Sequence, residues 1–425
     1  MSAHKQATRQ RTTTALVQVL GLAVWFSATA VGPSLQREWA LDDASLVWIT
    51  TSVQLGFVVG AVGSAFLNLA DRFPAQYVLA TSAACASACT LVFAITADSL
   101  GPAILFRFLT GLFLAGIYPV GMKLIASWSL PAGRGKAFGI LIGALTIGST
   151  VPHLIGGIGL LPWRQVMGVA AGFALLAAII SALFLRVGPY IQREKPKVDP
   201  RHVLVLFRQQ RPRLANVGYF GHMWELYALW AWLPIFILSS RQLREPSDVL
   251  GVGIVVFATM GIGGVIGSML GGWAADKWGR PQSAAVALAV SGSCCLASPI
   301  MFTAPDPWLF AFLLLWGASV IADSGVFSTA LSESVDKRLI GTALTTQTAV
   351  GFLITVGSIQ LVPLFAGIVG WQYAFVVLLP GPVFGVLTMH TLSTLNKNNE
   401  RHSNDHDRAL TPVRRQNRPV VSHRF

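Results

Sequence analysis

Apolar residues fall into long runs separated by short polar stretches. Runs lie near 15–33, 46–69, 77–97, 102–128, 137–160 and 166–185, and a second set near 214–239, 249–274, 283–303, 308–331, 342–368 and 373–396. Each is long enough for the roughly 20 apolar residues that a helix needs to cross a bilayer. The Gly and Pro inside many runs are tolerated better by lipid-embedded helices than by soluble ones, so the runs read as helices and not strands. The pattern predicts an all-α membrane protein with twelve transmembrane helices in two sets of six.

Composition and charge sharpen that picture. Hydrophobic residues make up 53% of the 425 and charged residues 12%, half of what a water-soluble surface carries (about 25%). Mean hydropathy is +0.61. The formal net charge of +13 does not point to nucleic acid, because the charges sit between apolar runs and form no continuous basic face. With the N-terminus cytoplasmic, 25 of the 31 Lys and Arg fall in cytoplasmic segments and 4 outside, at Arg37, Arg164, Arg241 and Arg244; Arg107 and Lys123 lie within spans. Under the positive-inside rule both termini are cytoplasmic. A multi-pass protein of the cell (inner) membrane is expected, working as a monomer. The expected organisation is a cytoplasmic tail over 1–14, a six-helix bundle over 15–187, a basic cytoplasmic linker over 188–213, a second bundle over 214–396 and a disordered basic tail over 397–425. The four cysteines show no Cys-x-x-Cys or Cys/His zinc spacing and read as small packing residues. No metal site or cofactor is expected.

The two sets repeat. Ala70-Asp71-Arg72 returns 205 residues later as Ala275-Asp276-Lys277, Gly135 matches Gly341, and Trp163 matches Trp371. Gly272-Trp-Ala-Ala-Asp276-Lys277-Trp-Gly279-Arg280 resembles the Gly-x-x-x-Asp-(Arg/Lys)-x-Gly-(Arg/Lys) loop of the major facilitator superfamily. The first half keeps Asp71-Arg72 but has Leu67 and Pro74 in place of the two glycines. Arg107-Phe-Leu-Thr-Gly111 resembles that family's Arg-x-x-x-Gly signature in the fourth helix. The resemblance covers about residues 15–396. It implies two pseudo-symmetric six-helix bundles around a central cavity lined by the first, fourth, seventh and tenth helices, which opens to each side in turn.

Ionisable groups inside spans cost about 2.5–3.5 kcal/mol each to insert at mid-bilayer, so those that survive there are informative. They are Arg107, Lys123, His153, His222, Glu225, Asp323 and His390. His222, Glu225 and Trp232 share one face of the seventh span. A His and a carboxylate in a dehydrated cavity can load and release protons; the plainer reading is a hydrogen bond that orients the helix. Trp232 reads equally as packing. Asp323 reads as a second proton carrier or as the counter-charge of Arg107. Arg107 either holds an anionic substrate or tunes a nearby acid, as the resemblance implies. Trp25 and Tyr118 complete the expected substrate cavity, while Lys123 snorkels. His153 reads mainly as a satisfied packing residue, in a Gly-rich fifth span where Pro152-His153 stands in place of the Gly-Pro that exporters of the family carry.

The loop charges Asp71, Arg72 and Arg134, with Asp276, Lys277, Gly279 and Arg280, are expected to form a cytoplasmic gate between the bundles, against the alternative of solvated topology determinants. No Walker-type loop is present, so an ion gradient would drive transport. The expected function is secondary active transport by alternating access, proton-coupled, with a small solute and protons as partners and a slight preference for a small organic anion. Proton-antiport efflux of amphipathic compounds is the alternative, favoured by Glu225, Asp323 and the aromatic set Trp25, Trp224, Trp230 and Trp232. A receptor on a transporter fold would bind ligand without flux. His222 and Glu225 have no nucleophile or third ligand at a recognisable spacing, so no catalytic residue is assigned and no enzyme is expected.

Overall fold

A computed structural model describes residues 3–67, 69–130, 134–158, 161–190, 206–243, 251–335 and 340–410, without the side chains of 3, 70, 71, 134–136, 340–342 and 399–410. The described chain is helical. Its crossings are α1 (Ala3–Leu22), α2 (Asp43–Phe66), α3 (Ala75–Thr96), α4 (Leu100–Ser127), α5 (Arg134–Gly157), α6 (Trp163–Phe184), α7 (Gln210–Gln242), α8 (Val252–Trp278), α9 (Arg280–Met301), α10 (Asp306–Ser334), α11 (Ile340–Val369) and α12 (Pro380–Leu410). Among the described residues, eleven helices are long and apolar enough to cross a membrane. The first crossing is not one of these: the first half of α1 is polar and charged, and its apolar half stops at Leu22 and resumes as two short pieces, Ser27–Ala30 and Gly32–Trp39.

The ends differ from the sequence expectation. α1 begins at Ala3, inside the predicted tail, and α12 runs to Leu410, past the predicted limit at 396. Neither stretch holds a helix breaker: no Gly or Pro occurs between Gly385 and Pro412, and propagation adds a hydrogen bond for each residue fixed. The linker segment 191–205 and the tail from 411 lie outside the described residues. At the start of α2, Asp42 accepts the Ser45 backbone N–H at 2.8 Å, an N-cap. Bonds from the Ser45 side chain and backbone lower the carboxyl pKa from its ordinary value.

The repeat seen in the sequence returns as packing. Added Cβ atoms on Gly56 and Gly60 of α2 would meet the Phe108 and Leu112 carbonyls of α4, and on Gly267 and Gly271 of α8 the Ala318 and Ala322 carbonyls of α10. Only glycine lets the backbones approach so closely, the small-residue packing used between membrane helices. Within the first half α3 and α1 pack on α6; within the second, α11 and α12 pack on α7. The halves meet where α2 lies along α11 and α5 along α8.

Three crossings are interrupted in mid-course. α1 breaks at 23–26, α4 opens at 115–117 before resuming at Tyr118, and α10 breaks at Asp323; α8 contains a π-helical turn, Phe257–Ile262. Non-helical backbone at membrane depth survives only where protein groups or a cavity satisfy it, so these breaks mark where polar chemistry is concentrated.

Candidate functional site

The break in α1 is held by α4. Arg107 is 1% exposed; its Nη2 donates to the Val24 carbonyl at 2.9 Å and the Trp25 carbonyl at 2.6 Å, and its Nη1 to Ser27 Oγ at 3.4 Å. These are acceptors freed where the helix stops. A planar guanidinium can serve two neighbouring carbonyls at once. Among the described residues no carboxylate forms an ion pair with it, so Asp323 is not its counter-charge here.

Holding α1 open turns Trp25 and Phe26 toward the second half. Trp25 lies 5.0 Å from Phe57 of α2, 5.4 Å from Phe352 of α11 and 6.0 Å from Tyr227 of α7, centroid to centroid. Phe26 stacks on Trp230 at 5.0 Å, and Phe57 reaches Phe352 at 4.3 Å. All six rings are buried. They form one aromatic cluster drawn from both halves at the level of the α1 break.

The break in α10 carries the second constellation. Asp323 Oδ1 stands 2.8 Å from His222 Nδ1 on α7, both side chains almost wholly buried. The separation is that of an ion pair, with angles outside hydrogen-bond geometry. His222 Nε2 lies 3.2 Å from Ser324 Oγ, just beyond the break. Glu225, which shares a helix face with His222, turns elsewhere: its carboxylate accepts from Trp316 Nε1 at 2.7 Å, Ser291 Oγ at 2.8 Å and Cys295 Sγ at 3.5 Å. The His–Glu pairing that helical spacing allows is therefore replaced by His222 with Asp323, and by Glu225 clamped within the second half.

The remaining expected site residues are dispersed. Trp232 donates from Nε1 to the Ile359 carbonyl at 2.7 Å and packs on Trp371; it also borders a narrow cleft between the halves, with Thr29, Leu46, Thr50 and Ile235. Tyr118 opens the second part of α4 and is partly buried. His153 is buried on α5, and neither ring nitrogen has a hydrogen-bond partner among the described residues. At the end bearing the termini, Gly279 turns the chain from α8 into α9 at φ 89°, a left-handed conformation that favours glycine. Arg280 pairs with Glu333 of α10, and Lys277 lies over the Trp273 ring at 4.9 Å. Arg72 stands over Phe73 at 5.8 Å. Asp276 lies in the last turn of α8. The described loop charges thus make these contacts inside their own halves; the side chains of Asp71 and Arg134 lie outside the described residues.

The family pattern described as Major Facilitator Superfamily matches residues 14–359. The chain belongs to the major facilitator superfamily. A niacin transporter of Acinetobacter baylyi is 30% identical over 218 residues, 48% of this chain and 46% of the relative. A 3-(3-hydroxy-phenyl)propionate transporter of Escherichia coli is 28% identical over 260 residues, 60% of this chain and 62% of the relative. This chain spans less than two thirds of either. A gentisate transporter of Corynebacterium glutamicum is 24% identical over 389 residues, 86% of this chain and 83% of the relative. A solved nucleoside transporter superposes with a TM-score of 0.70 at 14% identity, covering 90% of this chain and 99% of its own, a likeness of fold alone. Membership of the superfamily, with eleven apolar helices among the described residues, supports a multi-pass integral membrane protein.

Two features of the site escape sequence reading. Phe57 and Phe352 are ordinary phenylalanines in apolar runs, and nothing local marks them as partners of Trp25. Gln54 of α2 is 0% exposed, and neither amide atom is hydrogen-bonded among the described residues. Its only sequence signal is an uncharged polar residue in an apolar span.

Proposed function

We propose that the protein imports a small aromatic carboxylate, together with a proton, by alternating access of its two halves. The observation that carries this reading is the aromatic cluster shared by α1, α2, α7 and α11: flat apolar faces contributed from both halves suit an aromatic ring. The names of the relatives point to the same chemistry. For such a solute to bind, the contacts Trp25–Phe352 and Phe57–Phe352 must part, so loading is tied to the relation between the halves.

Charge supports a proton as co-substrate. With His222 neutral and Asp323 ionised, Arg107 and Asp323 together carry no net charge. Adding one proton to the His222–Asp323 pair leaves +1, which a monovalent carboxylate neutralises. Isolated charge is costly in a dehydrated site, so anion and proton favour each other's binding. Arg107 then has two duties, bracing the α1 break and setting a positive potential.

The distribution of Lys and Arg supports cytoplasmic termini in a cell (inner) membrane, and the repeat supports halves spanning 15–187 and 214–396 joined by the basic connector 188–213. In this reading the loop charges act as the cytoplasmic gate by exchanging partners between the halves as the cavity changes side, the Arg280–Glu333 pair within the second half being one of the contacts they exchange.

The test is ligand stabilisation of the purified protein. At 100 times its dissociation constant a ligand that binds only the folded state stabilises by about 2.7 kcal/mol. Benzoate and its hydroxylated forms should raise the melting temperature more at lower pH than at higher pH. Stabilisation by lipophilic cations instead would turn the reading to efflux.

A further inference from the structure

Gln54 is a buried amide with unmet hydrogen-bonding capacity beside the aromatic cluster. Its Oε1 and Nε2 have no hydrogen-bond partner among the described residues, and the same holds for Trp25 Nε1 and for the hydroxyl of Thr51, one turn before Gln54. All three residues are at most 2% exposed. Their placement follows from the register of α1 and α2. Thr29 Oγ1 and Thr50 Oγ1 meet at 3.0 Å, tying the two antiparallel segments together. Four residues inward from that link on either side stand Trp25 and Gln54. Three residues further along α2, Phe57 packs its ring against Trp25 at 5.0 Å. Gln54 is therefore bracketed between the Thr29–Thr50 link and the Trp25–Phe57 contact, next to the rings.

An amide buried without partners is destabilising relative to an apolar side chain of similar size. Packing alone gives no reason for Gln at this position, whereas a ligand that completes its bonds does. We infer that Gln54, with the Trp25 indole N–H, reads a polar substituent on the ring of the transported aromatic acid. The chemistry is complementary: a ring hydroxyl donates to Gln54 Oε1 while its oxygen accepts from Trp25 Nε1, and a ring nitrogen accepts from Gln54 Nε2 or Trp25 Nε1. An unsubstituted ring leaves all three groups unpaired, and sites built to bond a hydroxyl reject analogues that lack it. The assignment rests on the aromatic-acid reading and adds to it the selection among aromatic acids.

The experiment compares initial uptake of benzoate and of 3- and 4-hydroxybenzoate into proteoliposomes containing wild-type, Gln54→Leu or Gln54→Asn protein, each checked by its melting temperature. Wild type should prefer at least one hydroxylated acid over benzoate by about tenfold or more. In Gln54→Leu that ratio should fall to near one, and Gln54→Asn, with a shorter amide, should lie between. A Gln54→Leu or Gln54→Asn protein that melts like wild type and keeps the wild-type ratio overturns the assignment. A wild-type preference for benzoate overturns it as well. Uptake of none of these acids by wild type is a different failure, which removes the substrate reading itself.

Discussion

Arg107 can be tested as a brace for the α1 break, separately from any contact with substrate. Arg107→Met keeps most of the side-chain volume while removing the bonds to the Val24 and Trp25 carbonyls. The Trp25 carbonyl then loses its partner, at a cost of about 1–3 kcal/mol, while the Val24 carbonyl keeps the Ser27 hydroxyl at 2.9 Å. Measured side-chain hydrogen bonds between membrane helices are weaker, averaging ~0.6 and reaching ~1.7 kcal/mol, which argues for the lower part of that range. Removing a buried charge that has no acidic partner among the described residues offsets part of the loss. The net expectation is destabilisation of about 1–2 kcal/mol in the substrate-free protein. Thermal unfolding in detergent, followed by intrinsic Trp fluorescence, would read this as a lower midpoint. Hydrogen exchange should show faster opening of residues 22–30 than of α3 or α6. A substrate-free variant as stable as wild type, with unchanged exchange at the break, would refute the brace. Arg107 would then act on substrate alone.

Two further predictions concern the buried acids. Asp323→Asn and His222→Ala should abolish uptake driven by a pH gradient while sparing exchange of labelled for unlabelled substrate, and gradient-driven uptake in both variants would remove the pair from proton coupling. Glu225→Gln should melt close to wild type, because an amide oxygen still accepts from Trp316 and its NH2 can donate to Ser291 Oγ. Glu225→Leu should cost about 1–3 kcal/mol, since it leaves the Trp316 and Cys295 donors unpaired and Ser291 with the Leu288 carbonyl alone; equal melting of the two variants would show that the clamp does not stabilise the fold.

The crossings were legible in the sequence because a bilayer demands long apolar runs, and that demand leaves a local record. The interruptions were less so. Nothing in Ala23–Phe26 marks a helix stop, since no Pro or Gly lies there; the break depends on Arg107, some eighty residues away, donating to its loose carbonyls. Asp323-Ser324-Gly325 hinted at the α10 break through residues that favour caps and turns. Helical spacing correctly put His222 and Glu225 on neighbouring positions of one face. It could not choose their partners, because Asp323 and Ser324 approach one and Ser291 and Trp316 the other from different places on the second half. The aromatic cluster was least legible of all. Its six rings come from four helices of both halves, and only the association of the halves brings Phe57 to Phe352.

The central claim is coupled movement of an aromatic carboxylate, and uptake into proteoliposomes tests it most directly. With the lumen more alkaline than the outside, labelled 4-hydroxybenzoate should accumulate above its external concentration, collapse on addition of a protonophore, and be lost on Asp323→Asn. Accumulation that ignores the pH gradient, or none for any aromatic acid alongside proton-driven movement of a lipophilic cation, would contradict the account.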